Sequence, residues 1–180
     1  MILETSLTSP RLELRSLSVA DVTQDYVDWL NDPITNQFLE VRFTTQTVGT
    51  VKEFVQKMVE SPTDYLLGIY LRAANQHIGN LHVGPIDRHH ESTAIGLMIG
   101  GRKFHGQGFG PEAISMISEH CFRQLGLTKL WAGCYESNQG SQKAFKKAGF
   151  HNDATLKDHC VYAGSRENVV IYSKFGSAAE

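Results

Sequence analysis

Residues 100–113, Gly-Gly-Arg-Lys-Phe-His-Gly-Gln-Gly-Phe-Gly-Pro-Glu-Ala, are the stretch whose residue types and spacing could do chemistry. Glycines at 106, 108 and 110 let the backbone come close to a ligand and turn successive N–H groups toward it. Pro111 suits the first turn of a helix, where its missing N–H costs nothing. A helix N-terminus with free N–H groups is a site for phosphate, so the stretch reads as a pyrophosphate cradle. A Walker loop fits poorly, because no Lys-Ser or Lys-Thr follows the glycines. A dinucleotide fingerprint fits no better. Counted from Gly106 or Gly108, its third glycine falls at Pro111 or Ala113. The acidic residue expected about 20 positions on is replaced by Leu130 and Trp131. The plain alternative is a glycine turn between strand and helix with no ligand.

The elements that must position this loop follow from periodicity. Arg11 to Leu17 alternates polar residues with leucine, as a half-buried strand does. Ser18 and Asp21 form a capping box that opens a helix with Val22, Tyr26, Val27 and Leu30 on one face. That helix stops at Asn31-Asp32-Pro33, since the residue before proline avoids the helical region. A polar connection follows, with Glu40 and Arg42 set among Phe38, Leu39, Val41 and Phe43. Val51, Phe54, Val55 and Met58 mark a second helix, closed by Ser61-Pro62-Thr63-Asp64. Three strands come next, Tyr65–Leu71, Ile78–Val83 and Thr93–Ile99. Beyond the glycine loop the pattern predicts a helix from Pro111 to Leu125 and a strand from Leu127 to Tyr135. A short helix over Gln139–Ala148 is capped by Gly149, and strands follow at His151–Asp158 and Asn168–Phe175. The tail from Gly176 to Glu180 is expected to fray. No repeat, low-complexity segment or linker interrupts the chain, so the expectation is one α/β domain spanning residues 1–180.

Composition excludes several classes. The net charge of -2 and the scattered 17 Lys and Arg argue against a nucleic-acid or anionic-membrane surface. No stretch nears the roughly 20 apolar residues of a membrane span, and the N-terminus has no basic region followed by an apolar run. Cys121, Cys134 and Cys160 are odd in number and lack C-x-x-C spacing, which suits free thiols in a reducing compartment. The expected location is the cytoplasm. His77, His82, His89, His90 and Glu91 match no zinc spacing, and no metal is expected.

Two ordered blocks carry a family resemblance. His105-Gly106-Gln107-Gly108-Phe109-Gly110-Pro111-Glu112-Ala113 resembles the Q/R-x-x-G-x-G/A signature of the GNAT acetyltransferase superfamily. It is nearest the RimJ/RimL-type branch, where such a run precedes Glu-Ala. Asn138-Gln139-Gly140-Ser141, with Ala144-Phe145-Lys146-Lys147-Ala148-Gly149-Phe150, is similar to that superfamily's N-x-x-S…K-x-G-F helix. Tyr26-Val27-Asp28-Trp29-Leu30-Asn31-Asp32-Pro33 resembles the branch's W-x-N-D-P. Two motifs at family spacing are far more specific than either alone.

The resemblance implies a GNAT fold: a central mixed, mostly antiparallel sheet, flanked by helices and splayed at two adjacent parallel strands, Thr93–Ile99 and Leu127–Tyr135. Acetyl-CoA would be the co-substrate. Its pantetheine would lie along Leu97, Met98 and Ile99, and its pyrophosphate on the amides of His105, Gly106, Gln107, Gly108, Phe109 and Gly110. Asn138, Ser141 and Phe145 would border the thioester end. His105 stands where Gln or Arg is usual, but backbone amides do most of the phosphate binding.

Acetyl transfer needs a neutral amine, a polarised thioester carbonyl and a proton for the departing thiolate. By resemblance, the polarising N–H lies near Met98. Base candidates are Glu40, His82, Asp87 and Glu91; the plain readings are solvated loop carboxylates and a sheet-face histidine. Many relatives carry Tyr where this chain has Phe145, which leaves Ser141 as the favoured proton donor and Tyr135 as the alternative. Trp29, Glu40, Arg42 and His82 are the expected acceptor-site residues. The acceptor is a small-molecule or peptide amine, and two kinds compete. A nucleotide-linked amino sugar leads, because Trp29-Leu30-Asn31-Asp32-Pro33 and Leu39-Glu40-Val41-Arg42 also resemble cell-surface sugar acetyltransferases, whose pocket would use Trp29 and Arg42; a protein α-amino group, as for ribosomal-protein members of the branch, is the alternative. A coenzyme-binding module without turnover is the competing class. Whether the chain is a monomer or a homodimer stays open.

Overall fold

The computed structural model describes residues 1–176. Ser177 to Glu180, most of the tail expected to fray, lie outside the described residues. The strands are β1 (Leu7–Thr8), β2 (Leu12–Ser16), β3 (Tyr65–Leu71), β4 (Gln76–Val83), β5 (Ser92–Ile99), β6 (Lys129–Tyr135), β7 (His151–Tyr162) and β8 (Ser165–Phe175). The helices are α1 (Gln24–Asn31), α2 (Val48–Glu60), α3 (Phe109–Arg123) and α4 (Gln139–Lys147). The strands form one sheet in the order β1-β2-β3-β4-β5-β6-β8-β7. Neighbours are antiparallel except β5 and β6, which run parallel.

Helices cover both faces of the sheet around β3. Leu67 and Ile69 of β3 point into a core with Ala113, Ile114 and Ile117 of α3 and with Phe145 of α4. Leu66 and Tyr70 point the other way, onto Tyr26 and Val27 of α1 and Val51 and Val55 of α2. The near-continuous apolar run Tyr65–Leu71 therefore reflects burial on both faces. Val51 and Val55, one turn apart and fully buried, each contribute about 1.5–3 kcal/mol by leaving water.

Local chemistry fixes the element ends, and here the structure corrects three expectations. The Ser18–Asp21 capping box is formed, but it closes a three-residue 3-10 turn, Val19–Asp21. Helix α1 starts later, at Gln24, where the Thr23 side chain accepts from the Tyr26 amide. The expected polar connection contains a 3-10 turn of its own, Glu40–Phe43. β7 and β8 are also longer than expected and turn at Ala163-Gly164, both at positive φ.

Candidate active site

β5 and β6 pair only from Ser92↔Lys129 to Ala94↔Trp131. Past that point they diverge, because β6 stays with β8 while β5 stays with β4. The gap opens a cleft of about 680 Å³. Its walls are Leu97, Met98 and Ile99 of β5, the loop at His105, Gly106 and Gly108, the start of α3 at Phe109–Pro111, and Asn138–Ser141 of α4. Ile34, Thr35, Gln37, Phe38 and Leu39 cover it from the α1–α2 connection.

The loop has the geometry an anion cradle needs. Gly106 and Gly108 take φ of 74° and 82°, the left-handed region that other residues enter only with strain. Gly108 is the N-cap of α3 and offers no side-chain cap, so the first amides of the helix are left for a ligand. A Cβ on Gly110 would lie 3.4 Å from Leu97 and 3.7 Å from Ala144, in ordinary contact with both. The loop is clasped from outside by Arg11. Its Nε donates to Glu112 Oε2 at 2.7 Å, its Nη1 donates to the Gln107 carbonyl at 3.0 Å, and its guanidinium lies 4.8 Å from the Phe109 ring centre. Ser9 Oγ donates to the other Glu112 oxygen at 2.6 Å. Burial opposes ionisation of Glu112, but Ser9 and Arg11 outweigh it and hold the carboxyl below its ordinary range. His105 Nε2 donates to the Ile99 carbonyl at 3.0 Å, so that β5 carbonyl is already engaged.

At the far wall, Asn138 caps α4 by accepting from the Ser141 amide at 3.0 Å. Ser141 Oγ lies 3.2 Å from Cys134 Sγ. Burial pushes the Cys134 thiol up, only partly offset by Ser141, so the thiol keeps its proton and either group can donate to the other. Tyr135 is more heavily engaged: its hydroxyl donates to Glu40 at 2.5 Å and accepts from Arg42 Nη2 at 2.9 Å. Burial and the Glu40 carboxylate raise its pKa against the pull of Arg42. Phe38 stacks on Tyr162 at 5.1 Å and lies 5.9 Å from Tyr135, which fixes the cover of the cleft.

The structure thus brings Glu40, Arg42 and Tyr135 together, and it sets the loop, β5 and α4 residues around one cleft. Trp29 is elsewhere: it packs edge-on against His77, and a Cβ on Gly100 would fall inside its ring. Phe145 faces the core against Phe150. Gln107 points back to the Lys103 carbonyl, and His82 bonds Asp64. Lys143 and Lys147 line the cleft without having been singled out; their spacing of four on α4 is the signal that could have found them.

Residues 11–151 match the acetyltransferase (GNAT) domain family. The chain belongs to that family. It therefore moves an acetyl group from acetyl-CoA to an amine. YoaA of Bacillus subtilis (strain 168), an uncharacterized N-acetyltransferase, is 25% identical over 169 residues, covering 93% of this chain and 94% of YoaA. The structure of RimL, a ribosomal L7/L12 α-N-protein acetyltransferase in complex with coenzyme A, superposes with a TM-score of 0.83 at 18% identity, covering 95% of this chain and 98% of that one. A spermidine N-acetyltransferase from Vibrio cholerae, in complex with CoA and spermine, gives 0.82 at 18% identity over 93% and 96%. The fold is the GNAT fold, shared with RimL and with a ribosomal-protein-S5-alanine acetyltransferase from Vibrio fischeri. Among the described residues no helix is long and apolar enough to cross a membrane.

Proposed function

We propose that this enzyme acetylates a cationic primary amine carried on an extended chain, the α-amino group of a peptide first. The observation that carries the reading is the contrast between Glu40 and Arg42. The Glu40 side chain is 75% exposed beside the cleft, while that of Arg42 is 13% exposed. Arg42 spends its donors on the Leu39 carbonyl and the Tyr135 hydroxyl, leaving little of it for an anionic acceptor. Glu40 is steadied by Tyr135 and keeps an open face for an ammonium group. The nucleotide-linked amino sugar would rely on Trp29 and Arg42, and both are engaged elsewhere. RimL and the spermidine enzyme are named for acceptors of the charge type proposed here.

Acetyl-CoA would lie with its pyrophosphate on the amides of residues 105–110, its pantetheine along Leu97 and Met98, and Lys143 and Lys147 near its negative charge. Ser141 would return a proton to the thiolate. Incubation with acetyl-CoA and three acceptors, a free-N-terminus peptide, a polyamine and a nucleotide amino sugar, tests this by thiol release. Peptide or polyamine should turn over fastest. Turnover of the sugar alone would refute the assignment.

A further inference from the structure

A second open space lies on the other face of β5. β5 and β6 part after Ala94↔Trp131, and two residues on is Gly96. A side chain added at Gly96 would meet nothing within 4 Å, so the sheet is bare at the point where the strands split. Directly across from Gly96 on β4 is His82. Cross-strand partners share a face and stand about 4.5–5.5 Å apart. His82 therefore borders that bare space.

Its surroundings are those of an oriented imidazole. His82 Nε2 lies 2.8 Å from Asp64 Oδ1. The other carboxylate oxygen of Asp64 accepts from Ser61 Oγ at 2.7 Å and from Thr63 Oγ1 at 2.9 Å. Burial opposes ionisation of Asp64, but the bonds from Ser61, Thr63 and His82 outweigh it and hold the group below its ordinary range. An ionised carboxylate only accepts, so Nε2 carries a hydrogen, and in the neutral ring the lone pair is on Nδ1. Among the described residues Nδ1 of His82 has no hydrogen-bond partner. Two residues along the same face, Asn80 is buried with its Nδ2 unpartnered.

We propose that His82 is the general base of the reaction and that Asp64 is its positioning residue. The assignment rests on the acceptor being a primary amine. The acceptor arrives as an ammonium, because α-amino and lysine amines are protonated at neutral pH. His82 Nδ1 takes one proton and passes it to solvent. The freed nitrogen attacks the thioester carbon, the C–N bond forms, the C–S bond breaks, and the thiolate leaves with the electron pair. The second amine proton is matched by the one the thiolate gains, so the sum is amide, thiol and one proton released.

Asp87 and Glu91 lie in the turn before β5, and His77 and Glu40 are placed for other roles. His77 is buried among Tyr26, Trp29 and Tyr70, with Nε2 held by the Gly79 carbonyl and Asn80. Glu40 stands on the cover with Tyr135 and Arg42, the place the proposed function gives it for binding the ammonium.

Two measurements test the pair. The first is long-range imidazole ¹H–¹⁵N spectroscopy of the intact protein at pH 8, with His82→Gln identifying the signal. A neutral ring protonated at Nε2 is expected. A ring protonated at Nδ1 overturns the proposal whatever the acceptor is. The second is kinetics on the amine the wild-type enzyme turns over best. His82→Gln should lower kcat about 100-fold or more with acetyl-CoA affinity unchanged. Asp64→Asn should lower kcat without raising the acceptor KM, and Asp64→Glu should recover part of the loss. An unchanged kcat in His82→Gln overturns the proposal, as does a loss in Asp64→Asn confined to KM. Should the wild-type protein acetylate no amine in the panel, the acceptor reading above falls, and the imidazole spectrum still decides the pair.

Discussion

Replacing Gly108 with glutamate adds a side chain and a negative charge at the N-terminus of α3, and the two effects separate. The strain is set by φ of 82°, where a non-glycine residue costs about 1–2 kcal/mol. Space is not the obstacle, since the nearest atom to an added Cβ is Arg11 Nη2 at 3.5 Å, ordinary contact. The fold should therefore survive with a melting temperature lower by about 2–8 °C, at about 2–4 °C per kcal/mol for a chain of this size. Coenzyme binding suffers more. A carboxylate about 5 Å from one pyrophosphate charge is repelled by about 3 kcal/mol at an effective dielectric near 20. That is on the order of 100-fold in Kd. Gly108→Ala carries the strain without the charge and serves as the control. Calorimetry with CoA on both folded variants reads the difference. Equal, wild-type-like affinity in Gly108→Ala and Gly108→Glu would refute the cradle.

The other predictions follow from the clasp, the cap and the far wall. Arg11→Ala should weaken CoA binding about 5–10-fold by releasing the Gln107 carbonyl and Glu112, which titration calorimetry can read. Asn138→Ala removes the α4 cap and should cost about 1 kcal/mol, a loss visible in thermal unfolding. Ser141→Ala should lower kcat while acetyl-CoA affinity holds, because a proton donated to the thiolate matters only in the transition state. Tyr135→Phe, which frees Glu40 and Arg42, should instead raise the acceptor KM; the opposite pattern in steady-state kinetics would move the donor role to Tyr135.

Elements whose residues answer a local demand were legible in the sequence. Gly106 and Gly108 stand where positive φ is required, Asn138 where a helix end needs an acceptor, and Tyr65–Leu71 where a strand is buried on both faces. The start of α1 was misplaced because two caps lie five residues apart, at Ser18 and Thr23. Both are locally sound, and only packing decides which one begins a helix. The clasp and the histidine pair belong to another kind of information. Arg11 and Glu112 are 101 residues apart, and Asp64 and His82 meet only because β3 and β4 pair in one register. No local pattern encodes those distances.

Trp29 and Arg42 show why residue type alone misleads at a site. An aromatic and a cation near a binding motif suggest a pocket for a flat, anionic ligand, yet each also does structural work well. Trp29 supplies a large apolar ring where Gly100 leaves room for it, and such a ring is worth more in a core than at a mouth. Arg42 has five N–H donors, and in the tight Glu40–Phe43 turn its neighbours provide acceptors at once: the Leu39 carbonyl, the Tyr135 hydroxyl and the Val161 carbonyl. A guanidinium so held stiffens the cover over the cleft and presents Glu40 outward. The carboxylate, with a single firm partner in the Tyr135 hydroxyl, keeps accepting capacity to spare. On the function proposed above, charge selection for the acceptor would fall to Glu40, and Glu40→Gln should weaken cationic acceptors while sparing acetyl-CoA. Competition assays between a peptide amine and a neutral amine check this. Loss of both in equal proportion would mean that Glu40 supports the fold of the cover and does not select charge.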